Sequence, residues 1–130
     1  MTMKCDKISA TVGLALSGLF LGMTAAGAAA LPTRVGQCNV TTVTQIESRL
    51  DGMPGSGSAI SYVNGGYQVS YDAIPGIQSA RAGDQVKLCL VSIPHNCPAG
   101  DVRGRVYRAT NLRSGSSWTA PDAEHGCGGA

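Results

Sequence analysis

Two short segments carry residue types that could bind a metal ion. They are His95-Asn96-Cys97 and His125-Gly126-Cys127, each with an imidazole and a thiol one residue apart. Two imidazoles and two thiolates form a ligand set that suits zinc or copper. However, the spacing is not that of structural zinc sites, and paired thiols oxidise outside the cytoplasm. The sequence therefore favours a disulfide between Cys97 and Cys127, with a metal site of His95, Cys97, His125 and Cys127 as the alternative.

A second cluster is basic and aromatic, and it lies between residues 103 and 118. Guanidinium groups at alternate strand positions can hold carboxylates or phosphates bidentately, and a neighbouring aromatic ring adds a stacking plane. A strand over residues 102–109 would turn Arg103, Arg105 and Tyr107 towards solvent. The predicted ligand-binding residues are Arg103, Arg105, Tyr107, Arg108 and Trp118. The alternative is an ordinary solvated strand whose arginines pair with Asp101, Asp122 or Glu124.

Catalytic and cofactor motifs are weak throughout the chain. The only histidines stand beside cysteines, and no Gly-x-Ser-x-Gly motif is present. Most carboxylates occupy turn positions, where aspartate is expected for local hydrogen bonding, so spacing selects no catalytic pair. We therefore predict a binding or interaction module and no enzyme, with no cofactor.

The first thirty residues are organised like an export signal. Lys4 and Lys7 provide a positive start, residues 8–23 carry no charge, and small residues follow. The uncharged stretch is short for a membrane span, which needs roughly 20 apolar residues. Cleavage is expected before Leu31, after Ala28-Ala29-Ala30. Cleavage after residues 26–28 and an uncleaved anchor are the alternatives.

The predicted mature chain, residues 31–130, is a single β domain in the periplasm or outside the cell, with no stable membrane insertion. Loss of Lys4, Lys7 and Asp6 leaves eight basic and seven acidic residues. Such a balance argues against nucleic acid as the partner. An anionic glycan, another anionic polymer or an acidic protein surface fits the arginine cluster better.

Four cysteines remain after the leader is removed, and an even number in an exported chain indicates disulfides. Of the three possible connectivities, we favour Cys38 with Cys89 and Cys97 with Cys127. The second pair would hold a proline-bounded loop to a glycine-rich tail. A domain of this size has a thin core, so two disulfides worth roughly 2 to 4 kcal/mol each matter for folding.

Alternating apolar residues and Gly/Pro turns predict the elements that position these residues. Asn64-Gly65 is predicted as a two-residue hairpin loop that places Tyr62 opposite Tyr67 and turns Ser61, Gln68 and Ser70 towards solvent. Residues 85–93 read as a central strand buried on both faces, and residues 117–119 as a short last strand. Residues 41–50 favour a strand over a helix, because residues 41–44 are all β-branched. The expected fold is all-β, a single-domain meander of about five strands that forms a small barrel or sandwich of OB or SH3-like size, stapled by disulfides.

Several segments also resemble a known group of proteins. They are Gly83-Asp84, residues 89–94, Cys97-Pro98, Gly100-Asp101, Arg103-Gly104-Arg105 and the ending at residues 127–130. This pattern is similar to small exported bacterial proteins whose function is uncharacterised. The resemblance implies a periplasmic or secreted location and carries no activity, ligand or site residue.

Overall fold

The computed structural model describes residues 29–129 and, in isolation, residues 2 and 13. The predicted leader at residues 1–30 therefore lies almost wholly outside the described residues. Within them the chain forms one antiparallel six-stranded sheet and a single helical turn. The predicted all-β, disulfide-stapled fold is confirmed. The elements are β1 Cys38–Glu47, β2 Ser58–Tyr62, β3 Tyr67–Ser70, α1 Pro75–Gln78, β4 Gln85–Ser92, β5 Val106–Asn111 and β6 Ser117–Pro121.

The strands lie in the order β3-β2-β1-β4-β5-β6. Consecutive strands are neighbours except for β3 and β4, which are connected through α1 across the sheet. β1 is the longest strand. Its extent confirms the strand predicted for residues 41–50 as far as Glu47. Its first half pairs with β4 and its second half with β2, with a register irregularity between Val43 and Gln45. Such an irregularity bends a strand, so one β1 can serve both halves of a curled sheet.

The concave side of the sheet encloses the hydrophobic core. β4 lies between β1 and β5 and alternates regularly: Val86, Leu88 and Leu90 are buried, whereas Gln85 and Lys87 are exposed. The expected central position of this strand is confirmed, but its expected burial on both faces is wrong, because nothing in the described chain covers its outer face. The core consists of Val43, Ile60, Tyr62, Ile77, Ala80, Val86, Leu88, Leu90, Tyr107, Ala109 and Trp118.

The short helix α1 covers one end of this core. Ile77 is fully buried, and Gly76 lies so close to Trp118 that a Cβ atom there would be 2.7 Å from the indole ring. A larger residue at position 76 would have to displace that ring.

No helix among residues 29–129 is long and apolar enough to cross a membrane.

The β2–β3 hairpin has a three-residue loop, and the predicted two-residue loop is wrong. The Tyr62 amide donates to the Gly66 carbonyl. Within this loop, only Gly65 takes a positive φ, of 82°. This is the geometry of a turn followed by a one-residue bulge. The pairing is therefore Ser61 with Tyr67 and Ile60 with Gln68. A shift of one residue exchanges the two faces of a strand, so Gln68 enters the core and Tyr67 leaves it.

Gln68 holds the two ends of the curled sheet together. Its amide nitrogen on β3 donates to the carbonyls of Tyr107, 2.7 Å away, and Ala120, 3.1 Å away. Its amide oxygen accepts from the Tyr62 hydroxyl at 2.7 Å and from the Trp118 indole at 3.0 Å. Strands β3 and β6 share no hydrogen-bonded ladder. One fully buried side chain therefore links β3 to β5 and β6 where backbone pairing does not.

Both predicted disulfides are present, with the predicted connectivity. Cys38 and Cys89 are directly opposite each other on β1 and β4. Cys97 and Cys127 join the loop after β4 to the C-terminal tail. The Asp101 carboxylate strengthens this second link, because it accepts from the Gly128 amide at 3.0 Å.

Candidate functional site

The predicted arginine-tyrosine face does not form. Strand β5 begins at Val106, so Arg103 and Arg105 precede it. Tyr107 is 1% exposed and lies in the core opposite Leu90, while its neighbour Arg108 points outward. The expectation that Tyr107 shares an exposed face with the arginines is wrong, since β5 is in the opposite phase from the one predicted. Trp118 is also buried, and its indole N–H donates to the Gln68 side chain. Neither aromatic ring is therefore available to a ligand.

Two arginines between residues 103 and 118, Arg103 of the predicted cluster and Arg113, are used within the fold. Arg103 holds Asp101 through two contacts of 3.0 and 2.9 Å and also donates to the Gly129 carbonyl. Arg113 holds the buried carboxylate of Asp84 through contacts of 2.7 and 2.9 Å. These bonds hold the pKa values of both carboxyl groups well below their usual range. The alternative of local ion pairing is thus the observed arrangement for Arg103 with Asp101.

The alternative metal site lacks two of its four ligands. Cys97 and Cys127 are joined in a disulfide, and their sulfur atoms are not thiolates. Across residues 29–129, no three histidine, cysteine, aspartate or glutamate side chains converge as metal ligands do. His95 and His125 are both exposed.

The outer face of β1, β4, β5 and β6 brings together a different pair of cations. The strand registers define two rows across this face. One row contains Val40, Lys87, Thr110 and Ser117, and the next contains Cys38, Cys89, Arg108 and Thr119. We refer to these two rows as the basic face. Lys87 and Arg108 occupy diagonal positions on adjacent strands, a separation of roughly 7–8 Å.

The basic face contains hydroxyl groups but no carboxylate. Lys87 and Arg108 are both exposed, and neither forms an ion pair with any residue that the structure describes. Thr110 and Ser117 are hydrogen-bonded to each other at 3.0 Å, and Thr119 is exposed beside Arg108. Of the predicted binding residues, only Arg108 lies on this face. Lys87 was not predicted, although its place between buried Val86 and Leu88 could have assigned it to the outer side of β4.

A cleft lies between the end of β3 and the end of β6 with the segment that follows it. It has a volume of about 180 Å³. Its lining residues are Val69, Ser70, Tyr71, Asp72, Pro121, Ala123 and Glu124. Tyr71 is 56% exposed at its rim. The chemistry of this cleft is opposite to that of the basic face, since its only charged lining residues are acidic.

Protein-family models, curated proteins and solved structures give no significant match to the chain.

Proposed function

We propose that this protein is an exported binding module whose basic face holds an anionic polymer, such as an acidic glycan. The observation that supports this most is the pair Lys87 and Arg108, exposed and unpaired within the described chain on a face without a carboxylate. Arg103 and Arg113, by contrast, are each paired with an aspartate. The basic face therefore leaves two positive charges available to a partner.

The two cations favour an extended ligand with repeated acidic groups. Arginine can hold a carboxylate or sulfate bidentately, whereas the lysine ammonium acts as a compact point charge. Their backbone positions are roughly 7–8 Å apart, so the two long side chains can contact two different acidic groups of one polymer. The Ser117 and Thr119 hydroxyls beside them are suited to hydrogen bonds with polar groups of the same polymer. Because the contacts are exposed, binding should weaken steeply with added salt.

The proposed location is the periplasm or the cell exterior. The two disulfides support an oxidising compartment, in which structural disulfides persist. The leader-like start of the sequence supports export. If this is correct, the exported protein begins at Leu31, and intact mass spectrometry of the exported protein would show this. A mass that includes residues 1–30 would contradict it.

Retention on immobilised polygalacturonate and dextran sulfate tests the proposed ligand class. We expect the variant Lys87→Glu/Arg108→Glu to elute at a much lower salt concentration than the original protein from at least one of the two resins. The matched control is Arg81→Glu, because Arg81 is exposed outside the basic face and makes no side-chain ion pair with the described residues. Circular dichroism establishes that all variants are folded. If the double variant lowers the eluting salt concentration by only twice as much as Arg81→Glu does, net charge alone explains retention. That result would overturn the proposal.

A further inference from the structure

The acidic cleft at the ends of β3 and β6 combines three features that suit a basic side chain. Val69, Pro121 and Ala123 provide apolar walls. Asp72 and Glu124 place carboxylates at the rim, and Tyr71 exposes part of its ring. A lysine or arginine side chain has the matching construction, with an apolar stem and a cationic end. We infer that this cleft binds an arginine or lysine side chain of a partner polypeptide.

The chain's own Arg49 shows that these groups accept a guanidinium ion. The Arg49 guanidinium carbon lies 4.2 Å from the centre of the Tyr71 ring. Its Nη1 is 3.4 Å from Glu124 Oε1, and its Nε donates to the Ser56 carbonyl at 2.8 Å. Arg49 thus stacks on Tyr71 and contacts Glu124 from one side, in a cation–π arrangement. It is not part of the cleft lining, so the cleft itself stays open.

The carboxylate of Asp72 has no partner among the described residues. Only its backbone amide is hydrogen-bonded, to the Ser70 hydroxyl at 3.0 Å. The second carboxylate at the rim, that of Glu124, is 3.4 Å from the Arg49 guanidinium. A cation entering the cleft would therefore meet Asp72 as the available acceptor, beside a Glu124 that already contacts Arg49.

The position of the cleft favours a polypeptide over a free ion. It lies between β3 and β6, each of which pairs with a neighbour on one side only. Gln68 closes these two strands onto each other, but beyond it the backbone groups that no ladder uses can serve an extended chain as donors and acceptors. A partner segment can therefore lie across the mouth of the cleft while one basic side chain enters it. This inference uses other residues than the basic face, so either proposal can fail without the other.

Calorimetric titration with short capped peptides tests the inference. The probes are a glycine peptide with one central arginine, the same peptide with neutral citrulline, and agmatine as a free alkyl guanidinium. We expect the arginine peptide to bind about 2- to 5-fold more tightly than the citrulline peptide, as loss of an exposed charge pair allows. Equal affinity for arginine and citrulline would overturn the inference. Agmatine binding as tightly as the peptide would overturn the assignment to a polypeptide.

Two variants locate the binding site. Asp72→Asn should weaken binding of the arginine peptide about 2- to 5-fold, because its carboxylate is exposed. Asp51→Asn removes one negative charge from an exposed side chain that does not line the cleft, and it should leave the affinity unchanged. Since the Asp72 carboxylate makes no contact within the described fold, Asp72→Asn should melt at the same temperature as the original protein. A folded Asp72→Asn variant that binds the peptide with full affinity would overturn the inference.

Discussion

Gln68 is the residue on which closure of the sheet depends most. A primary amide has two N–H donors and an oxygen with two lone pairs, and Gln68 uses all of this capacity. Burial raises the pKa of its partner Tyr62, so that hydroxyl keeps its proton and remains a donor. A buried polar network stabilises a fold when every member is satisfied, and is costly when one is missing.

The first prediction replaces Gln68 by leucine. Gln68→Leu introduces an apolar side chain of similar size, and it leaves the Tyr62 hydroxyl and the Trp118 indole without their acceptor. We expect the free energy of unfolding to fall by about 3 kcal/mol or more, because each unsatisfied buried group costs roughly 1 to 3 kcal/mol. Urea unfolding measures the loss. The matched control is Gln85→Leu on the exposed side of β4, which should change stability by only about 0.5 kcal/mol. If Gln68→Leu lowers the free energy of unfolding no more than Gln85→Leu does, the network does not hold the sheet closed.

The second prediction concerns acid stability and Asp84. Arg113, then Asn111, holds the pKa of this carboxyl group below its usual value near 4. A lowered native pKa stabilises the fold above the unfolded pKa, and this stabilisation is lost as the pH falls below about 4. We expect Asp84→Asn to melt well below the original protein at pH 7, and the gap to narrow at pH 3. Thermal melts at both pH values measure it, with Asp51→Asn as the control. A gap that stays constant with pH would contradict this role for Asp84.

At the scale of single elements, the phase of a strand decides which residues meet a ligand. β5 alternates with Tyr107 and Ala109 inward and Arg108 outward. The β2–β3 hairpin is likewise displaced by one residue, because its loop contains three residues rather than two. In both places the strand was predicted and its two faces were exchanged. A period of two makes every side chain sensitive to such a shift.

The third prediction tests the hairpin loop. Gly65 adopts a φ of 82°, which β-branched residues avoid. Gly65→Val should therefore lose about 1 to 3 kcal/mol of stability through backbone strain. Gly65→Asn is the matched control, because asparagine tolerates this region far better. A Cβ atom at position 65 meets no other atom within 4 Å, so crowding does not complicate the comparison. Equal stability of the two variants would show that the positive φ is not required.

At the scale of the whole molecule, the two disulfides fasten different parts of a thin core. Cys38–Cys89 joins β1 to β4 within the sheet, across a sequence separation of 51 residues. Cys97–Cys127 spans 30 residues and fastens the C-terminal tail outside the sheet. The tail also forms one wall of the acidic cleft through Ala123 and Glu124. The second disulfide therefore influences the geometry of the cleft as well as stability.

The fourth prediction separates the two disulfides. The chain-entropy relation gives about 4 kcal/mol for each loop length, so each double cysteine-to-serine variant should melt well below the original protein. Cys97→Ser/Cys127→Ser should in addition weaken binding of the arginine peptide, because it frees one wall of the cleft. Cys38→Ser/Cys89→Ser, measured at a temperature where it remains folded, is the control for that binding effect. Unchanged melting of both variants would show that the cysteines are not structural.

The sequence by itself determined the β class, the approximate positions of most strands and the disulfide pairing. Local signals suffice for these features: β-branched runs, glycine turns and four cysteines that follow a leader-like segment. For Arg103, the alternative of pairing with a nearby acidic residue included Asp101, its observed partner two residues away.

Only the tertiary structure decided which residues face solvent together and how the sheet closes. The positive φ at Gly65, the buried role of Gln68 and the inward direction of Tyr107 depend on strand pairing between distant segments. The same is true of Lys87 beside Arg108, and of Tyr71 with Glu124 around the cleft. Periodicity within one segment sets the spacing of its side chains, but the register against other strands sets their direction. Both proposed binding surfaces arise from that register.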